Sequence, residues 1–109
     1  MASGRHLGEF EQVVLLAVLQ AASEANGFAV RRALEEEADR VVSKGAFYTT
    51  LDRLEAKGYL TWELREPTEA RSRLPQRHFE VTREGLDALR RSRRSLLRLW
   101  NGLEGLLDA

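Results

Sequence analysis

The stretch from Ser43 to Trp62 carries an unusual set of side chains on a segment with helical spacing. At about 100° per residue, Gly45, Tyr48 and Thr49 fall opposite the apolar residues, where charged side chains would normally face water. Hydroxyl groups hydrogen-bond to phosphate oxygens, and a small residue lets the backbone approach a ligand closely. The pattern therefore predicts a helix that binds a polyanion, with double-stranded DNA as the expected partner.

Neighbouring residues add charge and hydrogen-bonding groups to this segment. Ser43 and Lys44 stand where the helix begins, and the free N–H groups of a helix N-terminus favour anions. Thr50 and Arg53 complete the set that we expect to contact DNA on this helix. Asp52 lies on the same side and counts against the interpretation, because a carboxylate repels phosphate.

A polar loop of about ten residues supplies a second set of candidate contacts. Arg71, Arg73, Gln76 and Arg77 are placed to hold phosphates or to enter a minor groove. A polar loop containing arginines is also common as a merely solvated loop. The position of this loop after the hydroxyl-bearing helix favours the DNA-binding interpretation.

Catalytic and metal-binding chemistry has few candidates in this sequence. There is no cysteine, there are only two histidines, His6 and His78, and no glycine-rich phosphate loop is present. Glu35, Glu36 and Glu37 are consecutive on a helix and cannot converge on one point. We therefore expect a protein that is not an enzyme and that uses no metal or cofactor.

The charges cancel over the whole chain but are unevenly distributed. The net charge is zero, with 43% hydrophobic and 31% charged residues. Residues 1–42 carry four arginines and seven acids, a net charge of −3, whereas residues 43–81 and 82–109 are net +1 and +2. Local clustering therefore matters more than total charge for DNA binding. No segment resembles a signal peptide or a membrane span, so we expect a cytoplasmic protein.

A small set of helices and strands must position these residues. Apolar periodicity predicts helices over residues 9–22, 28–41, 43–57 and 82–107, and alternation predicts strands over 59–65 and 77–81. Ser43 and Thr82 are the predicted N-caps of the third and last helices, and Gly58 is the predicted stop of the third. Three helices followed by a hairpin is the order of a winged helix-turn-helix, whose third helix enters the major groove. We predict a mainly α fold with a small β-hairpin, in which residues 1–81 bind DNA and residues 82–109 form a C-terminal dimerisation helix.

The last predicted helix is apolar over more than one side. Its seam follows a 3-4 spacing: Leu86, Leu89, Arg93, Leu96, Trp100, Leu103 and Leu107. We expect a second copy to cover this seam around a two-fold axis, with Phe10 joining the contact. Coverage by the chain's own first helix is the alternative. Trp100 is also the candidate site for a small aromatic effector, although structural packing is the commoner role of such a residue.

Five segments of the chain form a specific combination: Gly8–Gln12, Asn26–Val30, Gly45–Leu54, Lys57–Leu60 and Arg77–Gly85. On these segments the whole chain resembles the PadR family of bacterial transcriptional regulators. The resemblance implies a dimeric winged-helix repressor whose C-terminal helix pairs the subunits and whose ligand, where one exists, binds near that interface. The wing departs from the family pattern, because it lacks paired glycines and carries Phe79 where tyrosine is usual.

Two functions are compatible with these features. The first is a homodimeric, sequence-specific repressor that reads a roughly palindromic operator, since pairing places two recognition helices on one DNA. The second is a winged-helix protein–protein interaction module without specific DNA binding, favoured by the zero net charge and the acidic N-terminal third. Substitution of Tyr48 and Thr49 discriminates between them, because only the first function should be lost.

Overall fold

The computed structural model describes residues 6–66 and 74–108 and shows a mainly helical chain with one hairpin. In chain order the elements are α1 (Glu9–Ala21), α2 (Gly27–Glu37), α3 (Lys44–Ala56), β1 (Leu60–Arg65), β2 (Gln76–Val81), α4 (Arg83–Trp100) and α5 (Glu104–Leu107). Three helices followed by an antiparallel hairpin and a long helix confirm the predicted winged-helix architecture. The division into residues 1–81 and 82–109 stays a prediction.

The hydrophobic core lies around α1, which packs against α2, α3 and β2. Each of the first three helices contributes to the largest fully buried side chains: Val14, Leu15, Val30, Leu34, Phe47, Leu51 and Leu54. Burial of each such side chain stabilises the folded chain by about 1.5–3 kcal/mol. This cluster therefore fixes how α3 is held against the rest of the molecule.

The hairpin closes one side of the core. Leu60 lies opposite Val81 and Trp62 lies opposite Phe79, so these residues share one face of the two strands. Leu60, Phe79 and Val81 are buried. On the outer edge of β2, the N–H of Phe79 donates to the carbonyl oxygen of Ala25 at 2.9 Å. This bond ties the hairpin to the segment that leads into α2.

Side-chain caps fix where three helices begin. The side chains of Asn26, Ser43 and Thr82 each accept a hydrogen bond from the backbone N–H three residues later, at 2.8, 3.1 and 3.0 Å. Each bond satisfies one of the N–H groups that a helix start leaves free. The caps at Ser43 and Thr82 are those predicted from the sequence.

The predicted glycine stop at the end of α3 is also present. Gly58 has a φ of 80°, which a residue with a side chain adopts only at a cost. Its N–H donates to the carbonyl of Glu55 at 2.9 Å, and the N–H of Tyr59 donates to the carbonyl of Leu54 at 2.9 Å. This pair of bonds is a Schellman motif, and it turns the chain directly into β1.

The end of α3 is joined to the start of α4. The hydroxyl of Thr82 donates to the carbonyl oxygen of Gly58 at 2.6 Å, and its backbone N–H donates to the carbonyl oxygen of Tyr59 at 3.0 Å. A methyl group on Gly85 would overlap that same carbonyl of Tyr59. The first turn of α4 therefore packs directly on the turn that ends α3, and we refer to this contact as the α3–α4 junction.

Two helix ends differ from the sequence prediction. The second helix ends at Glu37 rather than near Val41, and Val41 is exposed. The last helix ends at Trp100 rather than near Leu107. Gly102 adopts a φ of 84°, so the chain turns there before the short α5. The predicted continuous helix over residues 82–107 is therefore wrong beyond Trp100.

Candidate nucleic-acid interface

The N-terminal turn of α3 is open to solvent. Ser43, Lys44, Gly45 and Thr49 are all exposed. A Cβ atom built on Gly45 would have no atom within 4 Å, so nothing in the described chain packs over this turn. The free N–H groups of the first turn and the ammonium of Lys44 make the surface favourable for an anion. Arg53 is exposed farther along α3.

Tyr48 is only partly available to a ligand. Its ring meets Phe47 edge-on, with centroids 5.1 Å apart, and its hydroxyl lies over Gly27 at the start of α2. A Cβ on Gly27 would be 2.5 Å from that hydroxyl oxygen, so the glycine makes room for the tyrosine. Tyr48 therefore packs α3 against α2 and presents only part of its side chain outward.

Thr50 does not lie on the open surface. Its side chain is 6% exposed, and its hydroxyl donates to the carbonyl oxygen of Ala46 at 2.9 Å. The hydroxyl is thus used within α3 and faces the core beside Leu51 and Leu54. Thr50 is therefore not placed to touch DNA, contrary to the expectation from the sequence.

Gln76 and Arg77 hold the hairpin in place. The side-chain oxygen of Gln76 accepts a hydrogen bond from the Asn26 amide at 3.1 Å. The guanidinium carbon of Arg77 lies 5.1 Å from the ring centre of Trp62 and 5.5 Å from that of Tyr48. Such cation–π contacts stabilise by about 0.5–1 kcal/mol each at partly exposed sites. Both residues therefore act first as structural links between β2 and the helices.

Alternation along β2 could have revealed the role of Arg77. Arg77, Phe79 and Val81 are spaced by two residues and so share one face of the strand. Because Phe79 and Val81 are buried, Arg77 is directed to the same side and meets aromatic rings. Arg71 and Arg73, the other predicted loop contacts, lie outside the described residues.

A cleft beside the open turn contains two residues that sequence analysis missed. It has a volume of about 320 Å³ and is bounded by the starts of α2 and α3 and by β2, with Phe28 and Arg31 in its wall near Lys44. Phe28 is 64% exposed, although its type predicted a place in the core. Helical spacing puts it about 200° from Val30, which is buried, and that spacing was the available signal. Within residues 6–66 and 74–108, no carboxylate forms an ion pair with Arg31 or Lys44.

The residues predicted for dimerisation fall into two groups. Phe10 and Leu89 are half-buried against the chain's own core. The remaining predicted residues are exposed: Leu86, Leu96, Trp100, Leu103 and Leu107. An apolar groove of about 550 Å³ runs between α1 and α4, with Leu16 and Leu19 on the α1 side. We call it the α1–α4 groove.

Titratable side chains do not form a separate site in the described part of the chain. Across residues 6–66 and 74–108, no three His, Asp or Glu side chains are close enough to hold a metal ion. The buried Nδ1 of His78 has no hydrogen-bond partner among those residues. No helix in the same ranges is both long enough and apolar enough to pass through a bilayer.

Comparison with known proteins agrees with this architecture. The sequence pattern of the transcriptional regulator PadR-like family matches residues 15–91. An X-ray structure of a PadR-like transcription factor from Bacteroides fragilis has a TM-score of 0.68 at 23% identity, over 89% of this chain and 88% of that chain. A PadR family transcriptional regulator from Eggerthella lenta DSM 2243 has a TM-score of 0.67 at 25% identity, over 93% and 88%. No match is found among curated proteins. Since the family pattern covers most of its length, the chain belongs to the PadR-like family of transcriptional regulators.

Proposed function

We propose that this transcriptional regulator is a homodimeric, cytoplasmic repressor that binds a roughly palindromic DNA operator through α3. The observation that carries the proposal is the open N-terminal turn of α3, where nothing lies over Gly45. The proposed contacts are Ser43, Lys44, Gly45, Thr49 and Arg53, with Tyr48 at their edge. Hydroxyl and ammonium groups at a helix N-terminus suit phosphate oxygens, and the methyl of Thr49 suits a thymine methyl.

The cleft beside this turn supports a phosphate position next to α3. Arg31 and Lys44 meet there without a carboxylate partner in the described chain. Gln76 and Arg77 act in this proposal by holding the hairpin against α2 and α3. Arg71 and Arg73 are proposed to reach phosphate or a minor groove from the loop between the two strands.

The exposed seam of α4 supports a homodimer. Leu86, Leu96 and Trp100 are large side chains that remain at least one-third exposed beside an apolar groove. Contiguous apolar surface of this kind marks a contact with another molecule. A two-fold axis here places two copies of α3 on one DNA, which accounts for a palindromic operator. A small aromatic effector bound beside Trp100 would act on the same interface.

DNA binding is tested with a substitution that adds bulk to the open turn without disturbing packing. Gly45→Gln places a neutral side chain where no atom lies within 4 Å, so the melting temperature should not fall and should rise slightly with the better helix propensity of glutamine. We expect at least a tenfold loss of affinity for duplex DNA from upstream of the protein's own gene, measured by fluorescence anisotropy over a salt series. Lys44→Ala should reduce the slope of log affinity against log salt by about 1.

Ala56→Gln is the matched control. Ala56 is exposed on the same side of α3, about 16 Å farther along the helix. It should lose much less affinity than Gly45→Gln, because Arg53 is the only proposed contact near the C-terminal end of α3. Unchanged affinity in Gly45→Gln would show that the open turn does not enter DNA. Equal, weak binding of the unaltered protein to upstream and scrambled duplexes would favour the protein–protein interaction module instead.

A further inference from the structure

Two arginines of α4, Arg90 and Arg93, line the α1–α4 groove, and Arg90 is already paired with Asp87. Arg93 stands between Leu89 and Leu96 in the 3-4 spacing of the seam, and it lines the groove together with Trp100. The other residues of the seam are leucine or tryptophan, and a second copy can bury them without removing a charge from water. Arg93 therefore decides which arrangement of the second copy is acceptable.

Arg93 has no carboxylate partner in residues 6–66 and 74–108. The nearby acid on α4, Asp87, pairs with Arg90 at 2.6 Å, and Glu104 accepts a hydrogen bond from the N–H of Gly102 at 3.1 Å. Trp100 of the same chain is two turns away, about 10 Å along the helix. Covering a cation without a partner is costly. The molecule that fills the groove must therefore bring a group that suits a guanidinium.

The seam has a nearly symmetric spacing around Leu96. Arg93 lies three residues before Leu96 and Trp100 lies four residues after it. Leu89 and Leu103 lie seven residues away on either side. A two-fold interface requires that each residue meet a residue at the mirrored position. Two antiparallel α4 helices that cross at Leu96 therefore place Arg93 of each copy opposite the other copy's tryptophan.

We propose that the α1–α4 groove is filled by α4 of a second copy, antiparallel and centred on Leu96, with Arg93 stacked on Trp100 of the partner subunit. This inference rests on the homodimer of the proposed function and specifies its register. An indole face is the strongest aromatic partner for a guanidinium, and covering the contact strengthens it. A parallel pair would instead bring the two Arg93 side chains together, where like charges repel.

The break after α4 fits the same register. The mirrored positions of Leu103 and Leu107 are Leu89 and Leu86, at the other end of the seam. Gly102 turns the chain between Trp100 and these two leucines. The stacked pair therefore lies within continuous helix, and the leucines of the turned segment cover the outer end of the partner's seam.

The register is tested by oxidation of single-cysteine variants. Because the unaltered chain contains no cysteine, each disulfide must involve the introduced residues. Leu96→Cys should form a covalent dimer by itself. Arg93→Cys and Trp100→Cys should each stay monomeric on a denaturing gel but should cross-link when they are mixed. Leu99→Cys, at a 73% exposed position outside the groove, is the control and should not cross-link. Cross-linking of Arg93→Cys alone, or none in the mixture, would overturn the antiparallel register.

The stacking contact is tested separately by sedimentation equilibrium. Arg93→Gln removes the charge and keeps a long side chain. If Arg93 stacks on the partner's Trp100, this change and Trp100→Leu each weaken the dimer by about tenfold, and the double variant is little weaker than either. A tighter dimer for Arg93→Gln would mean that Arg93 is merely an unpaired charge, and the proposal would fail.

Different results would contradict the homodimer and its antiparallel register. A wild-type chain that stays monomeric in the centrifuge and binds operator DNA as a monomer would overturn the homodimer itself. A stable dimer that binds DNA but cross-links in another pattern would overturn only the register. Retention of DNA binding in Arg93→Gln at high protein concentration would show that Arg93 acts through pairing and not through contact with DNA.

Discussion

At the scale of single residues, one ion pair links α1 to the end of α3. The Nζ of Lys57 donates to both carboxylate oxygens of Glu11 at 2.8 and 2.9 Å and to the carbonyl of His6 at 2.8 Å. Glu11 also accepts a hydrogen bond from the N–H of Gly8 at 2.7 Å. Glu11 is buried, so its charge depends on these partners.

The environment of Glu11 gives this contact a defined pH dependence. Burial by itself raises the pKa of Glu11, but the hydrogen bonds from Lys57 and Gly8 and the charges of Lys57 and Arg53 outweigh it and hold the pKa below its ordinary value of 4.5. A pKa that is lower in the folded chain than in the unfolded chain stabilises the fold above the unfolded value. That stabilisation is lost as the pH falls through the folded value.

Glu11→Gln should therefore lower the free energy of unfolding at pH 7 by about 1–3 kcal/mol, because Lys57 loses its charged partner. The loss should shrink as the pH falls below 4.5 and through the lowered pKa of Glu11, where the carboxylate of the unaltered protein is also protonated. Urea denaturation at a series of pH values measures both effects. Glu9→Gln is the control, since Glu9 pairs with Arg40 at the surface and should change stability by less than about 1 kcal/mol. Equal stability of Glu11→Gln and the unaltered protein at neutral pH would contradict this account.

The local structure of some candidate residues could be predicted from the sequence and that of others could not, for reasons visible in their spacing. Ser43 was recognised as a cap because a hydroxyl residue before an apolar periodic stretch has few other roles. Thr50 lies about 60° from Phe47 on a helical wheel, so helical periodicity was enough to predict that it is buried. The packing of Tyr48 on Gly27 was not readable, because it depends on how α2 and α3 cross.

At the scale of the elements, α3 contacts the start of α2 at a glycine. The hydroxyl of Tyr48 occupies the space that a side chain on Gly27 would fill. Asn26, immediately before it, caps α2 and also donates to Gln76 in the hairpin. The start of α2 thus contacts both α3 and the hairpin and holds them together.

Gly27→Ala should destabilise the chain by about 1–3 kcal/mol, because the added methyl would lie 2.5 Å from the tyrosine oxygen. The second substitution Tyr48→Phe removes that oxygen and leaves the nearest ring carbon at 3.5 Å, an ordinary contact. The double variant should therefore recover most of the lost stability. Thermal unfolding of both single variants and the double variant measures this. Failure of Tyr48→Phe to rescue Gly27→Ala would show that the strain lies elsewhere.

Most helices and strands were predictable from the sequence, and the turn at Gly102 was the main exception. Residues that stop or start a helix by their own chemistry, such as Ser43, Gly58 and Thr82, were found from the sequence. The turn at Gly102 was missed because the 3-4 spacing of apolar residues continues through it. Spacing reports which side chains share a face, but it does not report whether the backbone between them stays helical.

At the scale of the whole molecule, α4 extends away from a compact head. Only Gly85 and Ala88 of this helix are buried, and both lie in its first two turns. The overall dimensions of 52 × 37 × 23 Å reflect this extension. The outer half of α4 carries apolar side chains that the rest of the chain leaves exposed. A partner that buries them would stabilise the helix, so the stability of the fold should depend on protein concentration.

The melting temperature should rise with protein concentration in the unaltered chain. Leu96→Asp should abolish that dependence, because a carboxylate at the proposed axis would face its own copy. Leu99→Asp, outside the groove, should keep the dependence. Calorimetry over a hundredfold range of concentration measures all three. A melting temperature that is independent of concentration in the unaltered chain would contradict the dimer.

The α3–α4 junction has a mechanical consequence for such a dimer. Because Thr82 bonds to Gly58 and Tyr59, we expect α3 and α4 to rotate together as one lever. From the junction to the proposed axis at Leu96, the lever arm is about 21 Å long. A rotation of about 5° at the axis would then swing the attached end by about 2 Å. The crossing angle of the two α4 helices would thereby set the distance between the two α3 helices. That distance decides which spacing of major-groove half-sites the dimer can bind.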